Sequence, residues 1–252
     1  MRSFLRAAAA ALVGLLFSST AAAVLRADYQ FQNSLASSVA GAPALTTIGT
    51  TAFATESVDG AARTVLTFTA GSGVALTPTT GVVPTSTTYS IVMLVRLATV
   101  AGYRKYVDFK NATSDNGLYA NDGELEFYPT VASTTTPLAD NTYARVVMTR
   151  DAAGNVAGYV DGVQVFAFVD TALDGVIDAS NTLRFFVDDT VTTGEETAGA
   201  VSRISIYDNA LTPGEVAGLF AGPQSVPALS RDMLVLLAVL VMALALVALR
   251  RG

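Results

Sequence analysis

Four carboxylates, Asp188, Asp189, Glu195 and Glu196, fall within nine consecutive residues. A hard divalent cation such as calcium takes several carboxylate and carbonyl oxygens from one flexible loop, so this stretch is the best candidate metal site. The same residues read as a solvated acidic loop that keeps a sheet edge soluble, and that reading is preferred to a metal site. A second acidic stretch, Asn111 to Asp122, contains Asp115, Asn116, Asn121 and Asp122, which are ordinary turn formers, and it is expected to be a loop. Tyr103, Tyr106, Tyr119 and Tyr128 crowd the middle third of the chain. Tyrosine offers a flat apolar face and a polar tip, as a sugar site requires, but it is also a common strand former that ends in cores. Glu124 and Glu126 are spaced to share one face of a strand, like the paired acids of a glycoside hydrolase. Phe127, Tyr128 and Pro129 follow them and the chain has no Trp to stack a pyranose, so the expectation is a protein that is not an enzyme.

Composition narrows the chemistry further. The 252 residues include no Cys and no His, which excludes disulfides, thiolate nucleophiles, zinc clusters and histidine general bases. A hydrophobic content of 51% against 14% charged residues is too apolar for a disordered chain. Between residues 24 and 222 ten basic residues face twenty acidic ones, a net charge of −10 that repels nucleic acid and anionic headgroups.

The elements that must position these side chains are strands. Alternating runs predict them at Asp28 to Gln32, Arg63 to Thr69, Thr87 to Leu97, Lys105 to Phe109, Glu124 to Tyr128, Tyr143 to Arg150, Val156 to Val160, Val163 to Phe168, Thr182 to Val187 and Val201 to Tyr207. Tyr89, Ile91, Met93, Val95 and Leu97 share one face of the longest. Asp161-Gly162 is expected to close a two-residue type I′ hairpin, since both positions need positive φ. Thr212, Pro213 and Glu215 form a capping box for a short helix, with Val216, Leu219 and Phe220 to pack it on the sheet. About ten strands and one short C-terminal helix predict an all-β, two-sheet antiparallel sandwich or jelly roll.

Both ends carry addresses. Arg2, Arg6, the apolar run from Ala7 to Phe17 and the small residues to Ala23 read as a signal peptide over 1–23. Met233 to Leu249 is an unbroken apolar run of 17 residues, about 25 Å as a helix, followed by Arg250 and Arg251. Basic residues at both ends should stay cytoplasmic, which places the domain at 24–222 outside the inner membrane.

The tail resembles the bacterial IPTL-type sorting signals, which are similar to the PEP type read by exosortases: Val226, Pro227, Ala228 and Leu229 stand before the apolar span and terminal arginines. The resemblance implies a membrane-embedded sorting enzyme as partner and display at the cell surface or release outside. The mature domain resembles the bacterial branch of the laminin-G-like, concanavalin A-like jelly rolls. The carrying segments are Tyr29-Gln30-Phe31-Gln32-Asn33-Ser34-Leu35, Tyr159-Val160-Asp161-Gly162-Val163 and Ile204-Ser205-Ile206-Tyr207-Asp208-Asn209-Ala210-Leu211-Thr212. Many relatives hold calcium, and calcium is the one cofactor this resemblance implies; Gln32 and Val201-Ser202-Arg203 stand where the family tends to carry aspartates. The functional expectation is a non-catalytic exported surface protein, a glycan-binding or adhesion module. The alternative is a structural protein of the envelope or matrix, with a glycoside hydrolase the weakest reading.

Overall fold

The computed structural model describes residues 22–220. The expected signal peptide up to residue 21, the sorting motif and the apolar span lie outside the described residues. Within them, no helix is long and apolar enough to cross a membrane.

The described chain runs β1 (Leu25–Tyr29), β2 (Thr46–Ile48), β3 (Thr51–Val58), β4 (Ala61–Phe68), β5 (Gly73–Leu76), β6 (Tyr89–Leu97), β7 (Tyr103–Asp108) and β8 (Gly117–Asn121). It continues through β9 (Glu124–Tyr128), β10 (Val131–Ala132), β11 (Ala144–Arg150), β12 (Asn155–Val160), β13 (Val163–Val169), β14 (Leu183–Phe185), β15 (Gly199–Tyr207) and α1 (Pro213–Gly218). All strand pairs are antiparallel. One sheet has the order β13-β12-β11-β6-β15-β4-β3, with β1 also on β15; the other is β10-β9-β8-β7-β14-β5-β2. This is the expected two-sheet jelly roll.

The core lies between the sheets because each inner face repeats apolar residues every second position. Tyr89, Ile91, Met93, Val95 and Leu97 of β6 are all buried and meet Leu118, Leu125, Phe127, Leu183 and Phe185 of the other sheet in one cluster. Fully burying an aliphatic or phenyl side chain of this kind contributes about 1.5–3 kcal/mol, so these layers are the main hydrophobic support of the sandwich.

Local signals acted as expected. Asp161 and Gly162 have φ of 48° and 83° and join β12 to β13. Thr212 caps α1, accepting from the Glu215 N–H while the Glu215 carboxylate accepts from the Thr212 N–H. Val216 is buried, but Leu219 is 37% exposed, so only part of the expected helix face packs.

Five strands were not expected. β3 reads Thr-Ala-Phe-Ala-Thr-Glu-Ser-Val and lies at a sheet edge, where little of it is buried and no apolar alternation is needed. β2, β5 and β10 are too short to show a period. The Asn111 to Asp122 segment is not wholly a loop: Gly117–Asn121 is β8, held between β7 and β9. Its flanking Asn, Asp and Gly residues concealed the buried Leu118-Tyr119-Ala120 at its centre.

Candidate functional site

The side chains singled out by sequence converge on the seven-stranded sheet, on the face turned away from its partner. Register sets Tyr103 opposite Asn121 and Asn121 opposite Glu124, with Lys105 opposite Tyr119 and Tyr119 opposite Glu126. Tyr128 stands opposite Gly117, one step further along the same face. Period two in β7, β8 and β9 thus gathers three tyrosines that span 26 positions of sequence. Their rings meet edge to face: centroids are 5.7 Å apart for Tyr103 and Tyr119, 5.3 Å for Tyr103 and Tyr128, and 6.1 Å for Tyr119 and Tyr128. Such contacts favour a fixed arrangement because the positive ring edge faces a negative ring face. Tyr119 is fully buried, whereas Tyr103 and Tyr128 are half-buried and border solvent. Beside them Asn121 donates its side-chain amide to the Glu126 carboxylate at 2.9 Å.

Tyr106 does not join this group. It is buried in the inter-sheet core, and burial raises its phenol well above the usual range. Alternation alone separates positions 103 and 106, so the sequence already held that signal.

The acidic residues surround a cation that sequence reading had not placed there. Lys105 is fully buried; its Nζ pairs with Asp189 and lies 3.8 Å from both Asp108 Oδ2 and Asp188 Oδ1, and 4.8 Å from the Tyr119 ring centroid. Burial alone would raise Asp189, but the Lys105 hydrogen bond and the Thr192 and Val191 N–H groups hold its carboxyl below the ordinary range. Asp188 accepts from the Asp189 and Glu195 N–H groups at 2.9 Å each, yet burial leaves its carboxyl raised. Burial likewise raises Asp108.

Asp115, from the connection before β8, joins these residues. One oxygen each from Asp115, Asp189 and Glu195 lies within 4.8 Å of the others. Thr192 Oγ1 donates to Asp115 at 2.8 Å, and the Thr190 N–H donates to the Ala112 carbonyl, so the β7–β8 and β14–β15 connections are fastened together over Lys105. Burial first, then the Asp115 and Asp188 charges, push Glu195 up to about 7. Its Oε2 is buried without a hydrogen-bond partner. Glu196 stands apart, accepting from the Gly194 N–H at 3.1 Å.

Of the four residues expected to hold calcium, Asp188 and Asp189 therefore already face an ammonium group, and Glu196 faces elsewhere. An ion between those two aspartates would sit against the like charge of Lys105, whereas Asp115, Asp189 and Glu195 are the carboxylates whose oxygens lie together. Glu124 and Glu126 do lie on one face as expected, but Glu126 is 8% exposed and engaged with Asn121.

A two-sheet antiparallel jelly roll of this topology is a concanavalin A-like sandwich domain. The sequence model of the concanavalin A-like lectin/glucanases superfamily matches residues 66–217, more than half of the chain, and the chain belongs to that family. No curated protein matches it. Among solved structures it is similar to domain 4 of AbnA, a GH43 extracellular arabinanase from Geobacillus stearothermophilus, in complex with arabinotriose. That likeness has 20% identity and a TM-score of 0.60, covering 79% of this chain and 100% of that domain. It is also similar to the binding domain of Paraclostridial Mosquitocidal Protein 1, with 13% identity and a TM-score of 0.57 over 78% of this chain and 51% of the other. A third structure, of botulinum neurotoxin type C, whose cell entry depends on interaction with two ganglioside molecules, has 15% identity and a TM-score of 0.54. It covers 79% of this chain and 50% of that one. The chain thus spans all of the arabinanase domain but about half of each toxin structure.

Proposed function

We propose that this protein is a non-catalytic glycan-binding or adhesion module of a bacterial surface, with its sugar site at Tyr103, Tyr119 and Tyr128. The observation that carries the proposal is the edge-to-face contact of the half-buried Tyr103 and Tyr128 at 5.3 Å. Buried Tyr119 holds those rings, so they offer apolar contact area at little ordering cost. Asn121 and Glu124 lie beside them and supply polar groups for sugar hydroxyls. A domain of similar fold, solved in complex with arabinotriose, supports a sugar as the ligand class.

Export through the signal at 1–23 and display through the tail at 226–252 complete this reading. Its partners there are a membrane-embedded sorting enzyme and the inner membrane. The structural alternative, an envelope or matrix protein without a small ligand, is favoured by how fully the three rings satisfy one another.

A glycan array on the full-length protein separates the two. Saturable binding that disappears in the Tyr103→Ala, Tyr128→Ala double variant is expected; silence across the array would leave the structural role. Sorting is tested by fractionating the native host. Wild type is expected at the surface, shortened by the tail, with a Pro227→Ala, Leu229→Ala variant retained at full length in the membrane. Full-length wild type in the membrane, matching the variant, would show a plain anchor.

A further inference from the structure

The opposite side of the sandwich carries a groove that the tyrosine patch does not use. It has a volume of about 280 Å³ and lies on the outward face of the eight-stranded sheet, where Val92 and Leu94 of β6 contribute an apolar floor. That volume is near the lower end for ligand pockets and suits one sugar ring. Arg63, Arg145 and Arg203 all line it.

Arg145 pairs with Asp59, and its guanidinium lies 5.6 Å from the Phe220 ring centroid. Arg203 Nε donates to Asp28 at 2.6 Å, and its side chain remains 52% exposed. Arg63 is different. Among the described residues it is the one Lys or Arg with neither a hydrogen bond nor an ion pair. Two carboxylates thus balance three guanidinium groups, and the groove keeps a positive charge on a domain whose net charge is −10.

The neutral groups discriminate between anions. Gln30 commits its amide N–H to Asp28 at 2.7 Å, and Gln32 commits its own to the Gln30 carbonyl at 3.1 Å. Both amide oxygens are left as acceptors. A sulfate ion has no donors for them, whereas sugar hydroxyls do.

From the unpaired arginine, the two free acceptors and the apolar floor, we propose that this groove binds a carboxylate-bearing sugar, one ring at a time. Arg63 is the primary carboxylate contact, because a guanidinium matches a carboxylate through two parallel N–H donors.

The test is a ligand-observed NMR titration of the full-length protein with galacturonate and with galactose as its neutral counterpart. Galacturonate is expected to saturate and to bind about tenfold more tightly than galactose, weakening as salt rises. Arg63→Gln should lose that advantage without lowering Tm, since the Arg63 side chain makes neither a hydrogen bond nor an ion pair. The Tyr103→Ala, Tyr128→Ala variant should bind galacturonate as wild type does, which keeps this site separate from the proposed sugar site on the other sheet. The proposal is overturned by absent saturation, by equal affinity for galactose, by unchanged binding in Arg63→Gln, or by inorganic sulfate competing as well as galacturonate.

Discussion

Lys105 and Asp189, 84 residues apart in sequence, form an ion pair with both side chains fully buried. This contact ties the β14–β15 connection to the outward face of β7, and the neighbouring Glu195 carbonyl accepts the Lys105 N–H at 3.2 Å. Removing one partner of a buried pair leaves an uncompensated charge, which costs more than the pair itself contributes.

Lys105→Met should therefore lower stability by about 3–5 kcal/mol in denaturant melts, because Asp108, Asp188 and Asp189 lose their shared counter-charge. Combining it with Asp189→Asn should recover part of that loss. A cost below about 1 kcal/mol for the single variant would place the pair in a more hydrated setting than its burial indicates.

Stability should also respond to pH through Glu195, whose carboxyl is raised from 4.5 to about 7, chiefly by burial. Between those values the unfolded chain has released the proton that the folded chain retains. Stability must then fall as pH rises through this window, and level off above it. Glu195→Gln should flatten that part of the profile in thermal melts from pH 4 to 8. An unchanged slope would exclude Glu195 as its source.

Calcium should not raise Tm relative to EDTA, since the Lys105 ammonium already supplies positive charge to Asp188 and Asp189. The informative contrary result is a calcium-dependent rise of several degrees that vanishes in Asp188→Ala with Asp189→Ala. It would restore the loop as a metal site.

At the β12–β13 hairpin, Gly162→Val should cost about 1–3 kcal/mol, because a β-branched residue would have to hold the positive φ found there. A Cβ at that position would also approach Phe220 Cδ2 to 3.0 Å, so the wall of the arginine groove would shift. Equilibrium unfolding measures the first effect, and weaker galacturonate binding reports the second.

Much of the sandwich was legible because one-dimensional rules govern it. Alternation along Tyr89 to Leu97 settled which face of β6 is buried, and the Glu124–Tyr128 strand has the expected bounds. Asp161-Gly162 and the Thr212–Glu215 capping box depend only on neighbours in the chain, so composition was enough to read them. β3 escaped notice because an exposed edge strand needs no apolar period, and β8 because its turn-forming flanks resembled a loop.

The sites were decided by distance between strands, which no local pattern contains. Sequence named Tyr103, Tyr119 and Tyr128, but only the pairing of β7, β8 and β9 brings their rings together while a half-period offset sends Tyr106 into the core. It named Asp188, Asp189 and Glu195 as one acidic loop, yet Lys105 and Asp115 come from the β7–β8 region and turn that loop into a charged cluster. Arg63, Arg145 and Arg203 carried no shared motif at all. Side-chain alternation is set residue by residue along one strand, whereas a binding site depends on registers between strands far apart in sequence, and those are fixed only when the two sheets close over a common core.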